Sequence, residues 1–144
     1  MNHMNRFVIP TLFLLIATSG FCQSKETSAG IAEPTVQYLI ASAAADFHAH
    51  GPSKSIHFRD VRIGHVMSPD GKAQYMLCGE FTPTGKTGKT EWTHFVTIKT
   101  SGYEQYLGDQ AASFCQRPAI KWDIQKDLST ALQSRFDSLG PTNQ

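Results

Sequence analysis

The sequence predicts an α+β domain: an N-terminal helix, an antiparallel sheet of three to four strands, a C-terminal helix and one disulfide. Three observations lead there. Apolar residues recur at helical spacing only near the two ends of the chain. Between them, runs rich in β-branched and aromatic residues are separated by short turns, which favours an antiparallel meander. Two cysteines, Cys78 and Cys115, lie in and just beyond that middle region. Helices flanking a meander pack on one face of an antiparallel sheet.

The first helix is read from Pro34, which suits a first turn because its missing N–H has no partner there anyway. Val36, Leu39, Ile40, Ala43, Ala44 and Phe47 then form one apolar face, and Gly51-Pro52 ends it. Ser55 to Val66 is the first strand, with imperfect alternation. Pro69-Asp70-Gly71 is a turn. Ala73 to Thr82 is the second strand, with Tyr75, Leu77 and Phe81 on one face and Met76 and Cys78 on the other. Pro83 to Lys89 is a turn-rich loop. Glu91 to Thr100 is the third strand, with Trp92, His94, Val96 and Ile98 alternating against Thr93, Phe95 and Thr97. Tyr103 to Leu107 adds a short edge strand, and Asp109 to Gln116 a helical turn that carries Cys115 to the sheet. Ile124, Leu128, Ala131, Leu132, Phe136 and Leu139 mark the last helix, which Gly140-Pro141 ends.

Residues 1–22 read as a secretory signal peptide and 23–33 as a flexible leader, leaving 34–140 as a single domain. Arg6 precedes an apolar run from Phe7 to Ala17, and the small residues Ala17, Thr18, Ser19 and Gly20 follow. The run is shorter than the roughly 20 residues that span a bilayer, and no second stretch approaches that length. Cleavage after Ser19 and cleavage after Cys22 both fit. Lipid anchoring at Cys22 is not expected: Phe21 is bulky where a lipoprotein signal needs a small residue, and Ser19 stands where Leu is usual. Periplasmic or secreted localisation follows.

In an oxidising compartment the pair Cys78 and Cys115 reads as a structural disulfide. Closing a loop of that length stabilises by roughly 4 kcal/mol in the chain-entropy account. Cys78 lies in the apolar run YMLCGEF, which suits a buried half-cystine better than a nucleophile.

The chain carries 13 Lys+Arg and 12 Asp+Glu, a net charge of +1, with 10% aromatic residues. That balance excludes a basic nucleic-acid binder, and the aromatic content excludes a disordered chain. Gly85 to Thr90 resembles a phosphate loop, with Gly88-Lys89-Thr90 as its end, but Pro83 occupies the place of its first Gly and a strand follows instead of a helix. No cofactor is implied. Of His48, His50, His57, His65 and His94, the pair His48-x-His50 near a helix end, with His57 close by, is suggestive of a metal site but not specific, and no metal site is assigned. Asp60, Glu80 and Glu91 lie on or beside strands, with no spacing that joins them to a nucleophile, so no catalytic residue is assigned either. Salt bridges from Arg59 or Arg62 to Glu80 explain these charges more simply. Trp92, Tyr103, Tyr106 and Trp122 are more rings than a small core needs, and aromatics with Arg dominate protein interfaces.

The run Pro52-Ser53, Phe58-Arg59-Asp60-Val61, Cys78-Gly79-Glu80, Gly85 to Gly88, Trp92 with Phe95-Val96, and finally Cys115 resembles a family of small exported bacterial proteins. Many of these are lipoproteins, and their function is unknown. The resemblance spans residues 50–115 and implies a periplasmic or cell-envelope protein, a Cys78–Cys115 pairing and no known cofactor. Relatives tend to carry an Asn-rich, Gly-Gly-Tyr loop after Cys-Gly; here Phe81 to Thr90 stands in its place, which suggests a different partner.

The resulting expectation is a non-enzymatic exported binding module for an envelope protein or cell-wall glycan, of the inhibitor or immunity kind. Arg59, Glu80, Lys86, Lys89 and Trp92 are its candidate contacts. A small hydrolase or metal-dependent enzyme using the histidines, and a structural envelope component, are the alternatives.

Overall fold

A computed structural model describes residues 31–51, 55–83 and 91–141. The chain runs α1 (Glu33–His50), β1 (Ile56–Met67), β2 (Ala73–Pro83), β3 (Thr93–Lys99), β4 (Tyr103–Leu107), α2 (Gly108–Cys115), β5 (Lys121–Trp122) and α3 (Ser129–Asp137). The five strands form one antiparallel sheet in the order β4-β3-β2-β1-β5. The α+β class is as expected, with one strand more than the sequence suggests.

Pro34 lies in the first turn of α1, and the Gly51 N–H closes the helix on the Phe47 carbonyl. Its apolar face is Val36, Leu39, Ile40, Ala43, Ala44 and Phe47, all buried. The two alanines are fully buried and let the helix lie close to the strands. Ile31, in the segment read as leader, packs against the same cluster. Phe47 is the hub of an aromatic group, with centroids 5.1 Å from Phe58, 4.8 Å from Phe81 and 5.2 Å from Phe95. Leu132 and Phe136 of α3 complete this inner face.

The other face carries a smaller cluster: Met76, Cys78, Val96, Ile98, Ala111 and Ile120. Here the structure departs from helices on one face only, because α2 lies against this outer side. The reason is the strand period. Leu77 and Phe95 point inward, so Cys78 and Val96, their neighbours, point outward. A helix ending in Cys115 reaches Cys78 only from that side. The Cys78–Cys115 disulfide is formed, with Cα atoms 5.9 Å apart.

The imperfect alternation of β1 is a β-bulge. Arg59 pairs with Glu80, but Arg62 pairs with Cys78, so β1 holds one extra residue. Asp60 takes it up with φ 54°, a left-handed conformation uncommon outside glycine. The bulge reverses the parity: Ile56 and Phe58 point inward before it, Val61 and Ile63 after it. Opposite, Gly79 leaves the space that the bulge needs. A Cβ there would lie 2.7 Å from the Phe95 ring and 2.9 Å from Val61 Cγ2.

The last helix is shorter than its apolar spacing suggests. Residues 123–128 instead follow the outer edge of β1, where the Asp123 N–H donates to the Ile63 carbonyl and the Leu128 N–H to the Val61 carbonyl. Asp127 Oδ1 and Ser129 Oγ both accept from the bulge N–H of Val61, at 3.1 and 3.2 Å. Asp127 Oδ1 also accepts from the Ser129 N–H at the start of α3. Burial pushes the Asp127 carboxyl up, but the Ser129 and Val61 donors and the nearby Arg62 charge more than reverse this and hold it below its ordinary range. Among the described residues, no helix is long and apolar enough to cross a membrane.

Candidate functional site

The helix α2 covers the outer face of the sheet only over Met76, Cys78, Val96 and Ile98. Toward the opposite ends of the same strands lies a polar and aromatic group. The register sets it: Arg59 pairs with Glu80 on β2, and Glu80 pairs with His94 on β3. Directly opposed residues project to the same side, so the three form one row across the sheet.

Glu80 is the centre of the row and its least exposed member, at 17% against 45% for Arg59 and 42% for His94. Its Oε2 accepts from Arg59 Nε at 2.5 Å, and its Oε1 lies 3.6 Å from His94 Nδ1. The Arg59 guanidinium carbon lies over Trp92, 4.1 Å from the ring centroid. Carboxylate and indole therefore hold one guanidinium from two directions. Asp60, exposed at the bulge, adds a second carboxylate 3.6 Å from Arg59 Nε. Both polar contacts of Arg59 run through Nε, so its terminal nitrogens have no partner among the described residues.

A second stack lies beside the first. Arg62 shares the outer side with Cys78, and its guanidinium is 4.5 Å from the centroid of Trp122 on β5. The bulge makes this possible. It places Arg59 and Arg62, three residues apart in sequence, on the same side of the sheet.

Of the residues expected to make contacts, Arg59, Glu80 and Trp92 come together. Lys86 and Lys89 lie outside the described residues. Glu80 takes Arg59 as its salt-bridge partner, whereas Arg62 turns to Trp122. Sequence reasoning left His94 out of the contact set, and the only signal for it was a register that depends on turn lengths. It also missed the second stack, because β5 is two residues long and carries no pattern.

The remaining histidines are spread across the molecule. The His48 ring lies 2.9 Å from the Gly140 carbonyl, and His50 lies 3.5 Å from Asp46. His57 is exposed on β1. His65 Nδ1 hydrogen-bonds both Asp123 oxygens, at 2.8 and 2.9 Å, which ties the β5 segment to β1. Among the described residues, no group of three or more His, Cys, Asp or Glu is arranged to hold a metal. The site presents two guanidiniums, two indoles, a carboxylate and an imidazole on one face of the sheet.

Compared with known proteins, the chain matches no family model, no curated protein and no solved structure.

Proposed function

We propose that the protein is an exported, non-enzymatic binding module of the bacterial cell envelope, and that the outer sheet face beyond α2 is its contact surface. The observation that carries this reading is the seating of Arg59 between Glu80 and Trp92 on a face that α2 leaves uncovered. Trp and Arg are the residues whose truncation costs most at interfaces. Both are held in place before any partner arrives, so little side-chain entropy is lost on binding. Export is supported by the charged, apolar and small-residue pattern of residues 1–22. A disulfide between Cys78 and Cys115 fits a compartment outside the cytoplasm. The partner is an envelope protein or the cell-wall glycan.

Retention tests the proposal. Immobilised protein is exposed to a detergent extract of the producing cell's envelope, and separately co-sedimented with purified cell-wall sacculi. The expected result is a discrete retained protein or a pelleted fraction that falls at least tenfold for both Trp92→Ala and Arg59→Ala. Equal retention by wild type and both variants in both assays sinks the proposal.

A further inference from the structure

The two edges of the sheet differ. The β1 edge is occupied by β5 and by residues 123–128, which bond to Ile63 and Val61. The β4 edge is open. Apart from the ladder to β3 and the Leu107 carbonyl, which opens α2, no backbone group of Tyr103–Leu107 has a hydrogen-bond partner among the described residues. Natural sheets usually blunt such an edge with Lys, Pro, a bulge or a covering segment. The β4 sequence YEQYL has no Lys and no Pro, and its register with β3 runs without a bulge.

Exposed apolar side chains collect along the same edge. Tyr103 is 37% and Leu107 44% exposed, and both project to the inner side, next to Tyr38 of α1 at 38%. Lys99, the register partner of Tyr103, lies with its ammonium 5.4 Å from the Tyr38 ring centroid and so joins the two elements. Met67 is the one large hydrophobic exposed elsewhere among the described residues.

We infer that β4 is a dimerisation edge, pairing antiparallel with β4 of a second copy of this chain around Gln105. The strand's own sequence favours a second copy. About a two-fold axis at its central residue, Tyr103 faces the Leu107 of the other copy, and Glu104 faces its Tyr106. Each apolar residue thus meets an apolar one. Each carboxylate meets a phenol, which already donates to Glu104 Oε2 at 2.6 Å within the single chain. No two like charges are directly opposed, which an isologous contact requires. The pairing would extend the sheet to ten strands and uses no residue of the Arg59–Glu80–Trp92 group.

Sedimentation velocity of the disulfide-intact protein between 1 and 100 µM (a range set by the affinities of weak dimers, about 10⁻⁶–10⁻⁴ M) tests this. The expected result is a concentration-dependent dimer whose dissociation constant rises at least tenfold in Tyr103→Lys and in Leu107→Lys. Met67→Lys, equally charged and remote from the edge, leaves it unchanged. Hydrogen exchange of the wild type gives a readout that needs no variant: the amides of 103–107 gain protection at the higher concentration. A monomer throughout, a dimer insensitive to both lysines, or added protection elsewhere than β4 overturns the inference. So does β4 protection that appears only when envelope extract is added, which would assign the edge to a strand of another protein.

Discussion

Among the described residues, fifteen buried side chains under α1 and α3 form one cluster that includes five phenylalanines; on the opposite face six do, and two of the elements there are joined covalently. The inner cluster draws on long elements, chiefly α1 and the strands, and holds itself by apolar burial. The outer cluster depends on α2, eight residues with a single fully buried side chain, Ala111. Burying so little surface does not offset the entropy of ordering a short helix. The Cys78–Cys115 bridge supplies the difference by limiting the unfolded chain. Because α2 is short, it does not reach the part of the outer face that holds Arg59, Glu80, Trp92 and His94.

The largest expected effect lies on the inner face. Phe95→Ala removes a fully buried ring that packs on Phe47, Phe58 and Phe81. It should lower stability by about 5 kcal/mol in urea unfolding, the upper end for Phe truncation. A loss under 2 kcal/mol would mean that the inner face collapses around the cavity and is no better packed than the outer.

Replacing both cysteines by Ala comes next. The bridge spans a sequence separation of 37, and its removal should lower stability by about 4 kcal/mol. Hydrogen exchange sharpens the contrast: α2 and β4 amides should lose protection first, with α1 amides opening only at global unfolding. Equal loss on both faces would show that they form one cooperative unit.

Gly79→Ala probes the junction of the two, since its Cβ would strike Phe95 and Val61. Overpacking there should cost about 2 kcal/mol. It should also weaken the Arg59 site, because Gly79 lies between Cys78 and Glu80 at the bulge.

The smallest effect is at Asp127, whose carboxylate bonds the bulge and the start of α3. Asp127→Ala should cost about 1 kcal/mol, as for loss of a helix cap. The sign of its pH dependence follows from its lowered value in the folded protein. Its contribution is fully present above the ordinary carboxylate range, about pH 4, and is lost as pH falls through the lowered folded value. Thermal melts of wild type and Asp127→Asn should therefore differ at neutral pH and converge in acid; a constant gap would show that the charge plays no part in holding the bulge.

Much of this architecture is legible in the chain. Pro34 and Gly51-Pro52 bracket α1, and strict alternation in β2 and β3 assigns Leu77 and Phe95 to one face and Cys78 and Val96 to the other. Expecting the Cys78–Cys115 bridge rested on reading residues 1–22 as an export signal, and the bridge is formed. The extent of α3 is not legible. Ile124 and Leu128 have helical spacing with Leu132, but both pack on the inner cluster from a non-helical segment whose Asp123 and Leu128 N–H groups bond to the edge of β1. Arg59, Glu80 and Trp92 were readable as candidates from residue type, and a salt bridge from Arg59 or Arg62 to Glu80 was expected; that Arg59 is the partner and also stacks on Trp92 was not readable.

By itself, then, the sequence determined which residues are buried and which strand faces they share, because burial follows local periods of 3.6 and 2.0 that need no knowledge of distant partners. Only the tertiary structure decided which side of the sheet α2 takes, where β1 bulges and which charges meet. Those outcomes depend on register, and register is set by turns, a bulge at Asp60 and a hydrogen bond from the Val61 N–H to Asp127, more than sixty residues away.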